Sequence, residues 1–118
     1  MAIRLEPLRR PGDFEALQRE GTSRAHPLLV IRALRNGVER TRIGFSTGRR
    51  LGTAVARNRV RRRLRSILRA LAPRLEPGWD ILVVARPACV DASYADLALA
   101  VERLLRRLGV VRDEMTLA

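Results

Sequence analysis

Residues 53–71 read T-A-V-A-R-N-R-V-R-R-R-L-R-S-I-L-R-A-L, and this stretch predicts one long amphipathic helix. Its apolar residues recur at i, i+4, i+7, i+8 and i+11, which places them on one face. These residues are Val60, Leu64, Ile67, Leu68 and Leu71. Thr53 is of a type that caps helix N-termini, and Pro73 is expected to end or kink the helix.

Strands are predicted on both sides of this helix. Residues 42–47 alternate with period two, and the mostly apolar run 79–85 is expected to be a strand buried on both faces. Upstream, residues 28–34 are rich in branched side chains, and the Asn-Gly pair at 36–37 is a strong hairpin signal. We therefore expect 42–47 to return antiparallel to 28–34.

Two more helices are predicted, one near each end of the chain. The first opens at Pro-Gly-Asp (residues 11–13) and closes at Gly21, and the last follows Ser93, whose hydroxyl suits an N-cap. The last helix repeats the i, i+4, i+7, i+8, i+11 spacing and closes at Gly109. Its apolar residues are Leu97, Val101, Leu104, Leu105 and Leu108.

The resulting order, α-β-β-α-β-α, is typical of an α+β protein whose helices cover a sheet. We expect a two-layer sandwich of three helices and a roughly four-stranded sheet, with room for one further short strand near residues 22–26. A chain of 118 residues and 13.3 kDa has the size of a single domain, here residues 1–118 with a core at about 9–108.

Composition excludes several classes of protein. Hydrophobic residues make up 47% of the chain, too many for a disordered tail, and no apolar run approaches the ~20 residues of a membrane span. Residues 1–10 lack the apolar stretch of a secretory signal, and the single cysteine, Cys89, cannot form an internal disulfide. We expect a soluble cytoplasmic protein with no membrane partner.

Positive charge is concentrated in one third of the chain. All 24 basic residues are arginine, against 12 acidic residues, for a net charge of +12. Residues 40–75 hold twelve arginines and no acid, so the rest of the chain, with twelve arginines and twelve acids, is neutral. This segregation favours a polyanion partner, and nucleic acid before a membrane surface.

The arginine-rich helix brings like charges together. A solvated charged helix normally offsets arginine with glutamate four residues away, but here arginines face arginines at 57 and 61, 61 and 65, 65 and 69, and 59 and 63. Each pair costs roughly 0.2–0.5 kcal/mol, or about 1–2 kcal/mol in all. Because bound phosphates would remove this repulsion, the pattern favours a binding surface over a merely solvated face.

No active site made of protein side chains is predicted. The only histidine, His26, precedes a proline in a loop, and Cys89 has no second thiol or nearby histidine. The carboxylates are scattered, and residues 40–75 contain none. No glycine-rich phosphate-binding motif is present. Catalysis by this chain alone is not expected.

The pattern Arg57-Asn58-Arg59-x-Arg61-Arg62-x-x-Arg65 resembles the arginine-rich helix of the protein subunit of bacterial ribonuclease P. The similarity extends upstream through G-F-S-T-G-R-R-L-G-T-A-V, residues 44–55, which resembles the strand and loop entering that helix. It also includes Asp-Phe at 13–14, Gly-Thr-Ser at 21–23 and W-D-I-L-V-V-A-R-P at 79–87. Together these motifs span roughly residues 9–108.

This resemblance implies a small basic protein bound to a large catalytic RNA. In the family, the complex removes the 5′ leader from precursor tRNA, and magnesium ions held mainly by the RNA perform the hydrolysis. The chain would be the non-catalytic subunit of this endoribonuclease, with the ribonuclease P RNA and precursor tRNA as partners and no obligate protein partner. The residues that would face the RNA subunit are Arg49, Arg50, Arg57, Asn58, Arg59, Arg61, Arg62 and Arg65.

The family has a second site, a cleft between the first helix and the sheet that holds the single-stranded leader. The matching positions here are Phe14, Gln18, Leu29 and Arg32. Only Phe14 is aromatic, whereas relatives often have aromatic residues at the other three. The resemblance therefore implies weaker stacking, with Arg32 substituting by charge and guanidinium stacking. Phe14 would equally suit a core position.

The family further implies an unusual connection between strands. Residues 42–47, the arginine-rich helix and residues 79–85 form a βαβ unit, for which a right-handed crossover is the rule. Members of the family have a left-handed one, as in the ribosomal protein S5 domain 2-like fold, and we expect the same here.

Three other classes fit part of the sequence. A structural RNA-binding protein of the ribosome would suit the charge equally well, but the Arg-Asn-Arg helix after Gly-Thr-Ala-Val disfavours it. A DNA-binding regulator would need two short helices joined by a tight turn, whereas strands surround the only basic helix. A self-sufficient nuclease would need a cluster of carboxylates or histidines, which the sequence does not offer.

Overall fold

The computed structural model describes residues 5–112, which form a mixed five-stranded sheet and three helices. Short 3₁₀ turns connect some of the elements, at Arg49–Leu51, Ala72–Arg74 and Pro87–Val90. The helices and strands in chain order are β1 (Leu5–Pro7), α1 (Pro11–Glu20), β2 (Thr22–Ala25), β3 (Leu29–Arg35), β4 (Thr41–Ser46), α2 (Ala54–Leu71), β5 (Trp79–Ala85) and α3 (Tyr94–Arg107).

The sheet is built around β5. Its strand order is β1-β4-β5-β3-β2, in which β5 pairs in parallel with β4 and antiparallel with β3. At the edges, β1 pairs in parallel with β4, and β2 pairs antiparallel with β3. Ile81, Leu82 and Val83 are all buried, which confirms that this strand is covered on both faces.

Helices pack on both faces of the sheet. α2 and α3 cover the face that includes Ile31, Ile43 and Ile81, whereas α1 packs through Leu17 against Leu82 on the other face. The structure therefore differs from the expected two-layer sandwich, because α1 forms a third layer by itself. A central strand with apolar side chains on both faces requires a helix on each side.

The predicted hairpin between β3 and β4 is wrong. A turn does follow Asn36, with Gly37 at φ +76°, and the two strands run in opposite directions, but β5 lies between them. The N–H of Asn36 donates to the carbonyl of Gly78 at 2.9 Å, so this turn is tied to the start of β5. Turn residues specify only a chain reversal, whereas the burial of β5 determines which strands become neighbours.

The predicted helices are confirmed. All five apolar residues of the α2 stripe are buried, and the Thr53 hydroxyl accepts a hydrogen bond from the N–H of Ala56 at 3.1 Å. α2 ends at Leu71, two residues before Pro73. In α3 the first four residues of the predicted stripe are buried and Leu108 is half-buried.

The edge strands were harder to predict. β2 confirms the short strand expected near residues 22–26, but nothing in the sequence predicts β1, which is only three residues long. β4, α2 and β5 form the expected βαβ unit, and its left-handed crossover stays a prediction from the family resemblance. Within residues 5–112, no helix is long and apolar enough to cross a membrane.

Candidate nucleic-acid interface

The outer face of α2 carries arginines that have no acidic partner. Arg59, Arg62, Arg65 and Arg69 are exposed, and none of them pairs with a carboxylate among the residues that the structure describes. Five arginines elsewhere form ion pairs with carboxylates: Arg40, Arg42, Arg74, Arg106 and Arg112. Other exposed arginines, such as Arg49 and Arg103, also lack an acidic partner within residues 5–112, but the four on α2 lie together on one helix face.

Asn58 and Arg61 are oriented by each other. The Arg61 guanidinium donates through Nη1 to the Asn58 Oδ1 at 2.9 Å and through Nη2 to the Thr47 Oγ1 at 2.6 Å. Asn58 is exposed and Arg61 half-buried, so the pair links the outer face of α2 to the end of β4. The asparagine within the Arg-Asn-Arg motif thus has a structural role, since it fixes the position of an arginine one turn further along.

Arg49 and Arg50 are brought next to the start of α2. They lie in the 3₁₀ turn Arg49–Leu51, which packs against α2 and is anchored by the buried side chain of Leu51. Both arginines are exposed, and Gly52 at φ +108° lets the chain turn from this segment into the helix. The structure thus places them beside the helix residues, as the resemblance implies.

Two arginines of the run differ from the rest. Arg57, in the first turn of α2, is half-buried rather than fully exposed. Arg63 is also half-buried, and its Nη1 donates to the carbonyl of Ala92 at 3.1 Å, which ties α2 to the segment before α3. Arg63 lies at an open position of the family motif and is not among the predicted RNA-facing residues, and this contact directs it toward the protein.

Phe14 lies on the opposite face of the sheet. A β-carbon on Gly44 would lie 3.1 Å from the Phe14 Cε1, so the ring rests directly on the backbone of β4. The ring is half-buried and therefore keeps an accessible part. Gln18, one turn along α1, is exposed. These two side chains can border a cleft between α1 and the sheet.

Arg32, which the resemblance assigns to the leader cleft, also makes contacts within the protein. Its Nε donates to the carbonyl of Leu17 at 3.3 Å, and its Nη2 donates to the carbonyl of Gln18 at 2.9 Å. These carbonyls belong to the last turn of α1, where a cation is favoured by the helix dipole. Arg32 thus holds the last turn of α1 against the sheet. Two of its donor nitrogens, Nε and Nη2, are used in these contacts.

The prediction that Leu29 contacts the leader is wrong. Its side chain is 0% exposed and packs in the cluster beneath α2 and α3, on the face away from α1. Val30, paired with Val84 of β5, is the residue of this strand that lies on the α1 face, and it is half-buried. Side chains alternate along a strand, so a shift of one position exchanges the two faces. Four consecutive apolar residues, 28–31, give no polar alternation that would fix the register.

A buried carboxylate that the sequence did not single out organises the same face. Asp80 is 4% exposed and accepts hydrogen bonds from Arg42 Nε at 2.7 Å, Arg42 Nη2 at 2.8 Å and Asn36 Nδ2 at 2.9 Å. Arg42 Nη1 also lies 3.2 Å from the Asp13 Oδ2 in the first turn of α1. The hydrogen bond with Asp80 raises the pKa of the Arg42 guanidinium, against an opposing effect of burial.

The described residues offer little for catalysis. No group of three or more His, Cys, Asp or Glu side chains within residues 5–112 could hold a metal ion. Cys89 is buried, and burial raises the pKa of its thiol, which disfavours the reactive thiolate. The Nδ1 of His26 accepts the N–H of Leu28 at 3.1 Å. What this arrangement can do chemically is bind a polyanion.

The fold and site define a class: a small basic α+β protein that presents an unpaired arginine face on one helix. A profile of the family described as Ribonuclease P matches residues 3–109, nearly the whole chain. The chain belongs to the ribonuclease P protein family. This confirms the resemblance inferred from the Arg-Asn-Arg helix and the strand before it.

Individual relatives agree with this assignment. The ribonuclease P protein component of Roseiflexus castenholzii is 41% identical over 110 residues, covering 92% of this chain and 90% of that protein. The component of Symbiobacterium thermophilum is 40% identical over 102 residues, covering 86% and 89%. Among solved structures, the RNase P protein from Thermotoga maritima has a TM-score of 0.79 at 28% identity, covering 86% of this chain and 96% of that one. The Staphylococcus aureus protein, at 24% identity, has the same fold with a TM-score of 0.83, covering 92% and 100%.

Proposed function

We propose that this chain binds the catalytic RNA of ribonuclease P through α2 and holds the 5′ leader of precursor tRNA beside α1. In this way it assists magnesium-dependent removal of the leader to give the mature tRNA 5′ end. The observation that carries the proposal is the outer face of α2, where exposed arginines lack acidic partners in the described chain, within the segment 40–75 that holds the whole net charge of the chain. Precursor tRNA processing places the protein in the cytoplasm.

The proposed RNA-facing surface contains two kinds of arginine: some are exposed and free to move, and one is held in place by hydrogen bonds within the protein. Arg59, Arg62 and Arg65 are exposed and can adapt to phosphates, whereas Arg61 is held by Asn58 and Thr47 and presents its charge in a fixed place. The arginines at 49, 50 and 57 extend this surface past the first turn of the helix. Such phosphate contacts set position and affinity rather than sequence preference.

The magnesium ions would be held mainly by the RNA. The predicted interface of this chain is cationic, which repels a divalent cation, and the described residues offer no carboxylate cluster. The protein instead neutralises phosphates and so reduces the number of counterions that the folded RNA must collect. Its contribution is electrostatic and positional.

The salt dependence of RNA binding tests this function. If α2 and the turn before it engage ~5–7 phosphates, log affinity for a bacterial ribonuclease P RNA should fall against log salt with a slope of about −3.5 to −6. Replacing the exposed Arg62 (Arg62→Ala) should flatten the slope by about 0.7–0.9. A filter-binding titration measures it.

The matched control is Arg103→Ala, which removes an exposed arginine from α3, away from the proposed surface. Its slope should equal that of the unmodified protein. A slope near zero for the unmodified protein, or equal slopes for the Arg62 and Arg103 variants, would contradict binding through the outer face of α2.

The leader site is tested with Phe14→Ala. If one leader base stacks on the accessible part of the ring, the holoenzyme should bind precursor tRNA more weakly by about 1–3 kcal/mol, while mature tRNA, which lacks the leader, binds as before. The ring also packs on Gly44, so Phe14→Leu, which keeps most of the packing, serves as a comparison. Thermal unfolding of both variants checks the fold. Equal losses for both RNAs would make Phe14 a packing residue only.

A further inference from the structure

A groove of about 620 Å³ runs along the β1 edge of the sheet, between that edge and α2. One wall is formed by residues 6–9, which include the end of β1, and another by Ile43, Gly44 and Phe45 of β4. The opposite wall is a line of α2 side chains that includes Arg65 and Arg69. Its volume lies within the range of sites that bind small molecules or single groups of a larger ligand.

The rim of the groove is cationic. Arg9, Arg65 and Arg69 are exposed, and within the described part of the chain none of them pairs with a carboxylate. The single acidic lining residue is Glu6, whose Oε1 accepts a hydrogen bond from Arg40 Nη1 at 3.0 Å. The groove therefore favours an anion even though one carboxylate lies at its edge.

The floor of the same groove is apolar. Pro7, Leu8 and Leu68 are among the residues that line it, and the half-buried Phe45 is the aromatic side chain that keeps accessible surface there. A bare phosphate would gain nothing from this floor, and a purely apolar ligand would gain nothing from the arginines. A nucleotide matches both parts, because it joins a flat, largely apolar base to a charged phosphate.

We propose that this groove takes an unpaired nucleotide of the catalytic RNA, with its base against Phe45 and its phosphate between Arg65 and Arg69. The base must be unpaired, since bases inside an RNA duplex are stacked and cannot enter a protein groove. This inference rests on the proposed function in that it requires RNA bound along α2.

The surface of α2 is continuous with the groove. Arg61 and Arg65 line it, and the same two residues border a second hollow of about 540 Å³ on the outer face, together with Asn58 and Arg62. An RNA strand on the outer face can therefore enter the groove without leaving positively charged surface. This continuity favours, as the occupant, part of the RNA that we propose to bind along α2.

The test compares two groove variants with a matched control. Arg9→Ala with Arg69→Ala removes two rim charges, and Phe45→Leu removes the flat ring but keeps an apolar side chain. Arg103→Ala with Arg107→Ala removes two exposed charges from α3. Affinities are measured for a bacterial ribonuclease P RNA and for a blunt RNA duplex without unpaired nucleotides.

Phe45→Leu should weaken binding of the ribonuclease P RNA about fivefold or more, the lower end of a lost stacking contact, and leave duplex binding unchanged. The rim variant should weaken binding of the ribonuclease P RNA more than the α3 variant does. If Phe45→Leu behaves like the α3 variant, while Arg59→Ala with Arg62→Ala still weakens binding, the groove proposal alone fails. If the unmodified protein binds no ribonuclease P RNA, the proposed function fails as well.

Crosslinking gives an answer that does not depend on how well Phe45→Leu folds. Ribonuclease P RNA carrying 4-thiouridine is bound to the unmodified protein and irradiated with near-ultraviolet light, and the protein is then digested with trypsin. Cleavage after Arg42 and Arg49 releases residues 43–49, which include Phe45. Nucleotide adducts that fragmentation of this peptide places at residues 43–45 support the proposal, and adducts confined to Arg49 or to other peptides overturn it.

Discussion

Purified protein without RNA should leave precursor tRNA uncut at every magnesium concentration. Added to a bacterial ribonuclease P RNA at low magnesium, it should raise the rate of leader removal on the order of ten- to a thousandfold. A charged protein surface raises the local concentration of an oppositely charged substrate and its association rate by about this range. The physical reason is that a chain of net charge +12 supplies fixed positive charge where the RNA would otherwise need magnesium as a counterion. Cleavage of 5′-labelled precursor tRNA across a magnesium series measures the effect.

High magnesium should narrow this difference, because the metal then screens the phosphates that the arginines neutralise. The informative variant is Arg59→Ala, Arg62→Ala and Arg65→Ala combined, which removes three exposed charges from the outer face of α2. It should need more magnesium than the unmodified protein and still reach a similar rate at high magnesium. Cleavage by the protein alone, or no rescue with any bacterial ribonuclease P RNA, would contradict the proposed division of roles.

The parts of the fold that the sequence predicts well are those fixed by local spacing. The α2 stripe is buried at every predicted position because i, i+4, i+7 spacing allows only one helix face to meet a core. Thr53 and Pro73 lie within one turn of the two ends of α2. Their effects on where the helix begins and ends therefore do not depend on distant contacts. The unbroken apolar run 79–85 likewise predicts a strand covered on both faces.

The parts predicted badly depend on contacts between distant segments. Asn36 and Gly37 form a turn, but the neighbour of β3 is β5, more than forty residues away in sequence. β1 adds to the edge of β4 through three residues too few to show a period. The error at Leu29 has the same origin, because only the packed sheet determines which of two adjacent apolar side chains lies under α1.

The candidate site shows the same division. Exposed arginines on the outer face of α2 follow from the helix period alone, and the structure places them there. The partners of Arg61 and Arg32 could not be inferred in this way, since Thr47 and the carbonyls of Leu17 and Gln18 approach only after folding. Sequence therefore predicts the charged surface, and tertiary structure separates arginines free to bind RNA from those that hold the protein together.

Asp80→Asn should strongly destabilise the folded protein. The substitution keeps the side-chain volume but removes the charge that faces Arg42, whose side chain is only 22% exposed. Removing one partner of a buried ion pair typically costs about 3–5 kcal/mol, and we expect about 3 kcal/mol because Asp13 remains 3.2 Å from Arg42 Nη1. Urea unfolding, read as the shift in midpoint at constant slope, measures the loss.

Glu6→Gln is the matched control. It also neutralises one partner of an arginine ion pair, but Arg40 is 64% exposed, so the change should cost less than about 1 kcal/mol. The two variants together separate the effect of burial on stability from the effect of losing a charge. Equal midpoint shifts would mean that the Asp80–Arg42 pair contributes no more to stability than a surface ion pair.

At temperatures where the Asp80 variant is folded, RNA binding through α2 should be unchanged, since the pair lies on the other face of the sheet. Affinity for precursor tRNA should fall, because Arg42 reaches Asp13 and so holds the first turn of α1, from which Phe14 projects onto Gly44.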